Sequence, residues 1–234
     1  MNMKAIRQLC SKTISLFLLS ACITAACTNS SNKKGEPLFN GSDFTGWRFY
    51  KDRDSNSWEV VDGMLHCKPF DGNEKRADLI TTQQFKNFEL TWEWKLPPQG
   101  NSGVMFNVVE DFDEPYLSGP EYQLLDDAGY PGKVEEWQKT ASNYGMHAAN
   151  GAKPKPIGEW NSSKIVVNQN HVEHWLNGKK VVEYELGSAD WKERKAASKW
   201  NDAAGYGASV QGYIAIQDHG SEVWLKNISL LKIE

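Results

Sequence analysis

From residue 37 onward the chain is written in short runs of alternating apolar and polar residues. The clearest is Phe88, Leu90, Trp92, Trp94 and Leu96, interleaved with Glu89, Thr91, Glu93 and Lys95. A period of two sends successive side chains to opposite faces, so this run predicts a strand with one buried face. Alternation resumes at Val104, Phe106 and Val108, after Pro97-Pro98-Gln99-Gly100-Asn101-Ser102-Gly103. Tyr122 to Leu125, Lys164 to Val167, Val172 to Leu176 and Lys180 to Tyr184 read as further strands. Asp62-Gly63 joins Ser57–Val61 to Met64–Cys67, and Asn177-Gly178 joins another pair; both dipeptides favour tight hairpins. Near the C-terminus, Gly212-Tyr213-Ile214-Ala215-Ile216 runs into Gln217-Asp218-His219-Gly220 before a second run, Val223 to Ile228.

Only residues 188–200 break the pattern, with Trp191, Ala196, Ala197 and Trp200 set among charges. They predict one short helical insertion capped at Ser188 and packed on a sheet edge. Many short strands with almost no helix predict an all-β fold, an antiparallel β-sandwich.

Residues 1–21 stand apart. Lys4, Arg7 and Lys12 precede a short apolar run from Thr13 to Ala21, too short to span a bilayer. Leu19-Ser20-Ala21-Cys22 resembles a bacterial lipobox, which makes Cys22 the expected lipidation site and residues 22–36 the lipidated cysteine and polar tether. Residues 37–234 are then the single folded domain. The expected product is an exported lipoprotein of a bacterial cell envelope, anchored on the periplasmic side and touching membrane only through its lipid. Removing residues 1–21 takes the formal charge from −4 to −7. That acidity, with no basic run, argues against nucleic acid as a partner. Of the four cysteines only Cys67 lies in the folded part, so no intradomain disulfide is expected; Cys67 reads as a small buried hydrophobe.

Chemistry gathers at strand ends. Gln217, Asp218 and His219 place an amide, a carboxylate and a group titrating near neutrality together. Asn101 and Ser102 sit between two glycines that permit close backbone approach to a ligand. Glu121 and Gln123 share one strand face, opposite Tyr122 and Leu124. Glu159, Trp160 and Asn161 combine an acid, an aromatic plane and an amide, a set suited to sugars. In His171-Val172-Glu173-His174 a strand period sends the two imidazoles to opposite faces, so a metal shared between them is not expected. His174 is the better candidate, and His147 lies in a loop that could join a site. The sequence holds no zinc-spaced Cys/His cluster, phosphate loop or nucleophile elbow.

Leu38-Phe39-Asn40-Gly41, Gly46-Trp47, Trp58-Glu59-Val60, Gly100-Asn101-Ser102-Gly103-Val104, Glu121-Tyr122-Gln123, Gly158-Glu159-Trp160-Asn161, His174-Trp175-Leu176-Asn177-Gly178 and Gln217-Asp218-His219-Gly220 occur in this order. Together they resemble the 3-keto-disaccharide hydrolase domain family. The resemblance implies a jelly-roll, concanavalin A-like sandwich that cleaves 3-keto-glycosides made by a separate sugar 3-oxidoreductase. A C3 ketone acidifies the C2 proton, so a base can form an enolate, the C1 substituent leaves, and water adds. On that implication His174 or Glu121 is the base. His219 with Gln217 polarises the carbonyl or acts as acid. Asn101, Ser102, Gln123, Glu159 and Trp160 bind sugar, and Asp218 orients His219 or closes the turn. A divalent metal could supply the electrophile; the sequence neither demands nor excludes one. The competing expectation is a lipid-anchored carbohydrate-binding module without catalysis, since this fold serves both purposes.

Overall fold

The computed structural model describes residues 35–234. The expected signal segment, Cys22, Cys27 and the tether up to residue 34 lie outside the described residues. The strands are β1 (Glu36–Pro37), β2 (Trp47–Phe49), β3 (Trp58–Val61), β4 (Met64–Cys67), β5 (Leu79–Thr81), β6 (Phe88–Lys95), β7 (Asn101–Val108), β8 (Glu121–Leu125), β9 (Asn161–Asn168), β10 (His171–Leu176), β11 (Lys179–Glu185), β12 (Tyr213–Ile216) and β13 (Val223–Lys232). One helix, α1 (Ala189–Ala197), lies between β11 and β12.

The strands form two sheets. The larger runs β11-β10-β9-β6-β13-β4-β3, with β1 also on β13; the smaller runs β2-β5-β12-β7-β8. Strand pairing within both is antiparallel. Phe88, Leu90, Trp92 and Trp94 of β6 face Val104, Phe106, Tyr122 and Leu124 of the smaller sheet across one core. Burying each such side chain contributes about 1.5–3 kcal/mol. Cys67 is buried there as a free thiol.

Both expected hairpins carry positive φ at their two central residues, 50° and 78° at Asp62-Gly63 and 49° and 81° at Asn177-Gly178. Those values suit the type I′ turns that match strand twist. α1 begins where expected, with the Ser188 hydroxyl accepting from the Trp191 amide at 3.1 Å. It stops at Ala197, sooner than the expected 200, and the next residues turn inward instead.

Two features were not visible in the alternation. β2 and β5 have only three residues each, too few to display a period. Residues 126–160, which hold no strand, run over the free edge of β8. There the amides of Ala141 and Tyr144 donate to the carbonyls of Gln123 and Glu121. An exposed edge is a template for unwanted pairing, and this segment closes it.

Candidate active site

The outer face of the smaller sheet carries a polar hollow. β7 pairs with β8 so that Gly103 lies opposite Gln123 and Met105 opposite Glu121. The Gln217 amide donates to the Gly103 carbonyl at 2.8 Å, extending that row onto the end of β12. Side chains opposite one another share a face, so Glu121, Gln123 and Gln217 rise on the same side as Asn101. Tyr122 and Leu124 point the other way, into the core. The resulting cavity of about 280 Å³ is lined by Asn101, Tyr116, Glu121, Gln123, Tyr144, Lys199, Trp200, Gln217 and His219.

Gly103 makes room for Glu121. A Cβ at residue 103 would stand 2.1 Å from Glu121 Oε1 and 2.7 Å from its Cδ, so any side chain there would evict the carboxylate. The glycine pair around Asn101 and Ser102 suggested close approach of a ligand; in the fold the space over Gly103 belongs to the protein's own acid.

The rim is aromatic and comes from distant segments. Trp191 of α1 stacks on Tyr206 at 5.6 Å, and Tyr206 on Trp200 at 4.3 Å. The Trp200 indole donates to the Tyr144 carbonyl at 2.9 Å. This stack holds the turn after α1 against the loop containing Tyr144 and delivers Lys199 to the cavity. Its ammonium lies 4.3 Å from the centroids of both the Tyr144 and Trp200 rings.

Two buried amide oxygens that line the hollow are left unmet. Asn101 is 7% exposed, yet its Oδ1 has no hydrogen-bond partner, and neither has the buried Oε1 of Gln217. The Asn101 amide nitrogen donates to the Tyr130 hydroxyl at 3.3 Å and faces His219 Nε2 at 3.4 Å. The Glu121 carboxylate accepts no hydrogen bond among the described residues. Burial pushes its pKa up to about 8; the Lys199 charge pulls it down and the Asp78 carboxylate pushes it up. Burial holds the His219 imidazole below its ordinary value, against a hydrogen bond to its own backbone and the charge of Asp218. Burial lowers Lys199 also, opposed by Glu121. Orphaned buried acceptors are costly, and they mark where a ligand's donors belong.

The other expected site residues lie elsewhere. His174 is fully buried between the sheets, its Nδ1 donating to the Ala141 carbonyl at 3.0 Å and its ring against Tyr122 at 4.9 Å. Burial drives its pKa down to about 4. Tyr122 and the smaller sheet stand between it and the hollow, so it does not reach the ligand space. Alternation correctly put His171 on the opposite face but could not say which face met the core. Ser102 also points inward, its hydroxyl donating to the Gln217 carbonyl at 2.8 Å. Asp218 is gripped by Arg76, whose Nε donates at 2.7 Å, and accepts from the Gly220 amide at 3.2 Å. It fixes the strand end that presents His219. Glu159 lines a separate cleft with Asp126 and Asp127. Trp160 lies on the outer face of the larger sheet beneath Lys95 and Lys226, at 5.1 and 4.1 Å. His147 is buried, its ring 4.6 Å from Tyr184 and its Nε2 3.1 Å from Asp190.

Tyr116, Tyr144, Lys199 and Trp200 were not singled out as site residues from sequence. A cation and three aromatics in loops carry no periodic signal. Groups in the hollow able to hold a cation are the Glu121 carboxylate, His219 and the amide oxygens of Asn101 and Gln217. Among the described residues the one cluster of three His, Cys, Asp or Glu ligand atoms is His171, Glu173 and Glu183, far from the hollow on β10 and β11. There Lys180 already pairs with both glutamates, at 3.0 and 2.7 Å. A larger cavity, about 700 Å³ beside Leu38, Phe85 and Leu230, gathers no comparable set of titratable groups.

A family model described as the 3-keto-alpha-glucoside-1,2-lyase-like domain matches residues 34–231. A Bacteroides thetaiotaomicron protein named 3-keto-disaccharide hydrolase is 38% identical over 222 residues, 82% of this chain and 76% of that one. A crystal structure from Parabacteroides distasonis ATCC 8503, of a candidate glycosyl hydrolase, is 40% identical with a TM-score of 0.79, covering 86% of this chain and 94% of that one. A Bacillus subtilis protein with a galectin-like fold aligns at a TM-score of 0.52 and 18% identity over 86% and 95% of the two chains, a likeness of fold alone. The architecture is thus the antiparallel, concanavalin A-like sandwich expected from the sequence.

Proposed function

The chain belongs to the 3-keto-alpha-glucoside-1,2-lyase-like domain family, and from that premise we propose that it cleaves glycosidic bonds in 3-keto-glycosides within the hollow over Gly103. The observation that carries this reading is Glu121, a buried carboxylate that accepts no hydrogen bond among the described residues and faces a space lined by unmet amide oxygens. A base poised close to the working pH suits removal of a proton from carbon, and a pKa near 8 meets that requirement.

In this reading Glu121 takes the C2 proton, and the electron pair moves through C3 onto its oxygen. The pair returns as the C1–O bond breaks, and protonated His219 gives the departing oxygen its proton. Water then adds at C1 and C2 regains a proton, completing a net hydrolysis. Asn101 and Gln217 accept from sugar hydroxyls, and the Tyr144 and Trp200 rings pack on sugar C–H faces. A cavity of about 280 Å³ holds one ring with its bond to the next rather than a length of chain. This differs from ordinary glycosidases, which stabilise an oxocarbenium-like state with two carboxylates.

The same reading places the protein in the bacterial envelope as a Cys22 lipoprotein, downstream of an enzyme that oxidises sugars at C3. Incubation of the protein, lacking residues 1–21, with a 3-keto-glucoside and with its unoxidised parent tests it. Release of 3-keto-glucose from the first alone is expected. Binding of the parent with turnover of neither would leave a lectin-like module.

A further inference from the structure

We infer that Lys199 is the electrophile of the reaction, its ammonium donating a hydrogen bond to the C3 oxygen as negative charge gathers there. The inference rests on the C2-deprotonation reading above and supplies the one function that reading leaves without a residue. Enolate formation moves a full charge onto the C3 oxygen, and a preorganised donor at that point lowers the barrier most. Asn101 Oδ1, Gln217 Oε1 and the Glu121 carboxylate present acceptors to the hollow, which suit hydroxyl groups but cannot stabilise an oxyanion. Lys199 lines the same cavity as Glu121 and brings a cation to it.

Its surroundings keep it available. Lys199 makes no ion pair or hydrogen bond among the described residues, whereas Lys139, Lys164, Lys180 and Lys226 each have a carboxylate partner. What holds its ammonium is aromatic, two ring centroids each at 4.3 Å, which orient a cation without using all its N–H donors. The ring stack from Trp191 through Tyr206 to Trp200 fixes the backbone on either side. A lysine left free on the surface would need none of this support.

The step balances without a further reactant. The C2–H pair enters the C2–C3 bond, the carbonyl π pair goes to oxygen, and the Lys199 N–H bond stays intact as a strong hydrogen bond. Loss of the C1 substituent then regenerates the ketone.

Lys199→Met and Lys199→Arg, assayed on an alkyl and on a 4-nitrophenyl 3-keto-glucoside, test the inference. Lys199→Met should lower kcat about 100-fold on both substrates, with KM little changed and C2–H exchange into D2O equally slowed. Lys199→Arg should restore part of the loss. His219→Ala, by contrast, should matter much less on the 4-nitrophenyl substrate, whose leaving oxygen needs no proton. Wild-type kcat in Lys199→Met, or equal defects in the Met and Arg variants, would overturn the role. So would a borohydride-trapped sugar adduct on Lys199, which would make the residue a covalent catalyst. Absence of wild-type turnover on either ketone would overturn the functional reading itself, a separate failure from an unaffected Lys199→Met.

Discussion

The two outer faces of the sandwich are built from similar residue types and do opposite things with them. On the outer face of the larger sheet the conspicuous aromatic groups are covered by neighbouring side chains. Lys95 and Lys226 cover Trp160, and Lys164 covers Trp175 at 4.4 Å. His66 stacks on Trp224 at 3.7 Å while its two nitrogens meet Glu59 and Glu222 at 2.8 and 2.9 Å. On the smaller sheet the amide oxygens of Asn101 and Gln217 are buried and unmet, and the Glu121 carboxylate beside them faces the hollow without a hydrogen bond among the described residues. The first arrangement is complete without a ligand; the second is complete only with one. Residue type alone does not locate a site, but the balance of donors and acceptors does.

The sharpest way to break this comparison is Glu121→Gln. Turnover of a 3-keto-glucoside should fall about 10³-fold, while the protein becomes more stable at pH 8. The sign follows from linkage. Folded Glu121 titrates near 8 and its unfolded counterpart near 4.5, so between those values the unfolded chain binds fewer protons and stability falls as pH rises. An uncharged amide removes that penalty, and a gain of about 2 kcal/mol, or about 5 °C in Tm, is expected at pH 8 by thermal unfolding. Lost stability together with lost activity would place Glu121 among structural residues.

Next in size is His219→Ala, expected to lower kcat about 100-fold on alkyl 3-keto-glucosides. The wild-type pH profile of kcat/KM should be bell-shaped, since the reaction needs Glu121 ionised and His219 protonated. The rate should fall below the lower of the pair's apparent values, under 6.5, and again above the upper one near 8. Gly103→Ala should cost about 10- to 100-fold by pushing the Glu121 carboxylate off its seat, with most of the loss in kcat. A near-normal rate in that variant would show that the position of the carboxylate does not matter.

Smaller effects belong to the other regions. His174→Gln should leave kcat within about threefold and lower Tm, because a packed core imidazole is lost. The His174 contribution to stability should be lost as pH drops from 6.5 towards 4, where the unfolded imidazole takes up a proton that the buried one refuses, and the difference in unfolding free energy between wild type and His174→Gln should shrink over that range. Trp160→Ala should change turnover less than about twofold, although its residue type suits a sugar; a strong effect would erase the distinction between the two faces.

Much of this was legible in the chain. Hairpins at Asp62-Gly63 and Asn177-Gly178, the strand at Phe88–Lys95 and the Ser188 cap are local, set by residues within a few positions of each other. Glu121 and Gln123 stood out as polar groups sharing one strand face, Gln217 and His219 as polar groups at a strand end, and Asn101 as an amide set between glycines. What alternation could not supply was which of two faces meets the other sheet. That is why His174 and Ser102, indistinguishable in pattern from Gln123, lie in the core. Nor could it supply Lys199 and Trp200, whose place depends on a ring stack reaching through Tyr206 to Trp191. Glu159 and Trp160 read as a sugar-binding trio with Asn161, yet sheet topology carries them away from the hollow.

The most direct test compares 3-keto-glucosides bearing hydrogen or deuterium at C2, with wild-type protein and with Glu121→Gln. The account predicts a primary isotope effect on kcat/KM for the wild type and release of 3-keto-glucose by the variant about 10³-fold slower. Equal rates for the two isotopologues, with Glu121→Gln as active as the wild type, would show that the bond is cleaved without breaking C2–H.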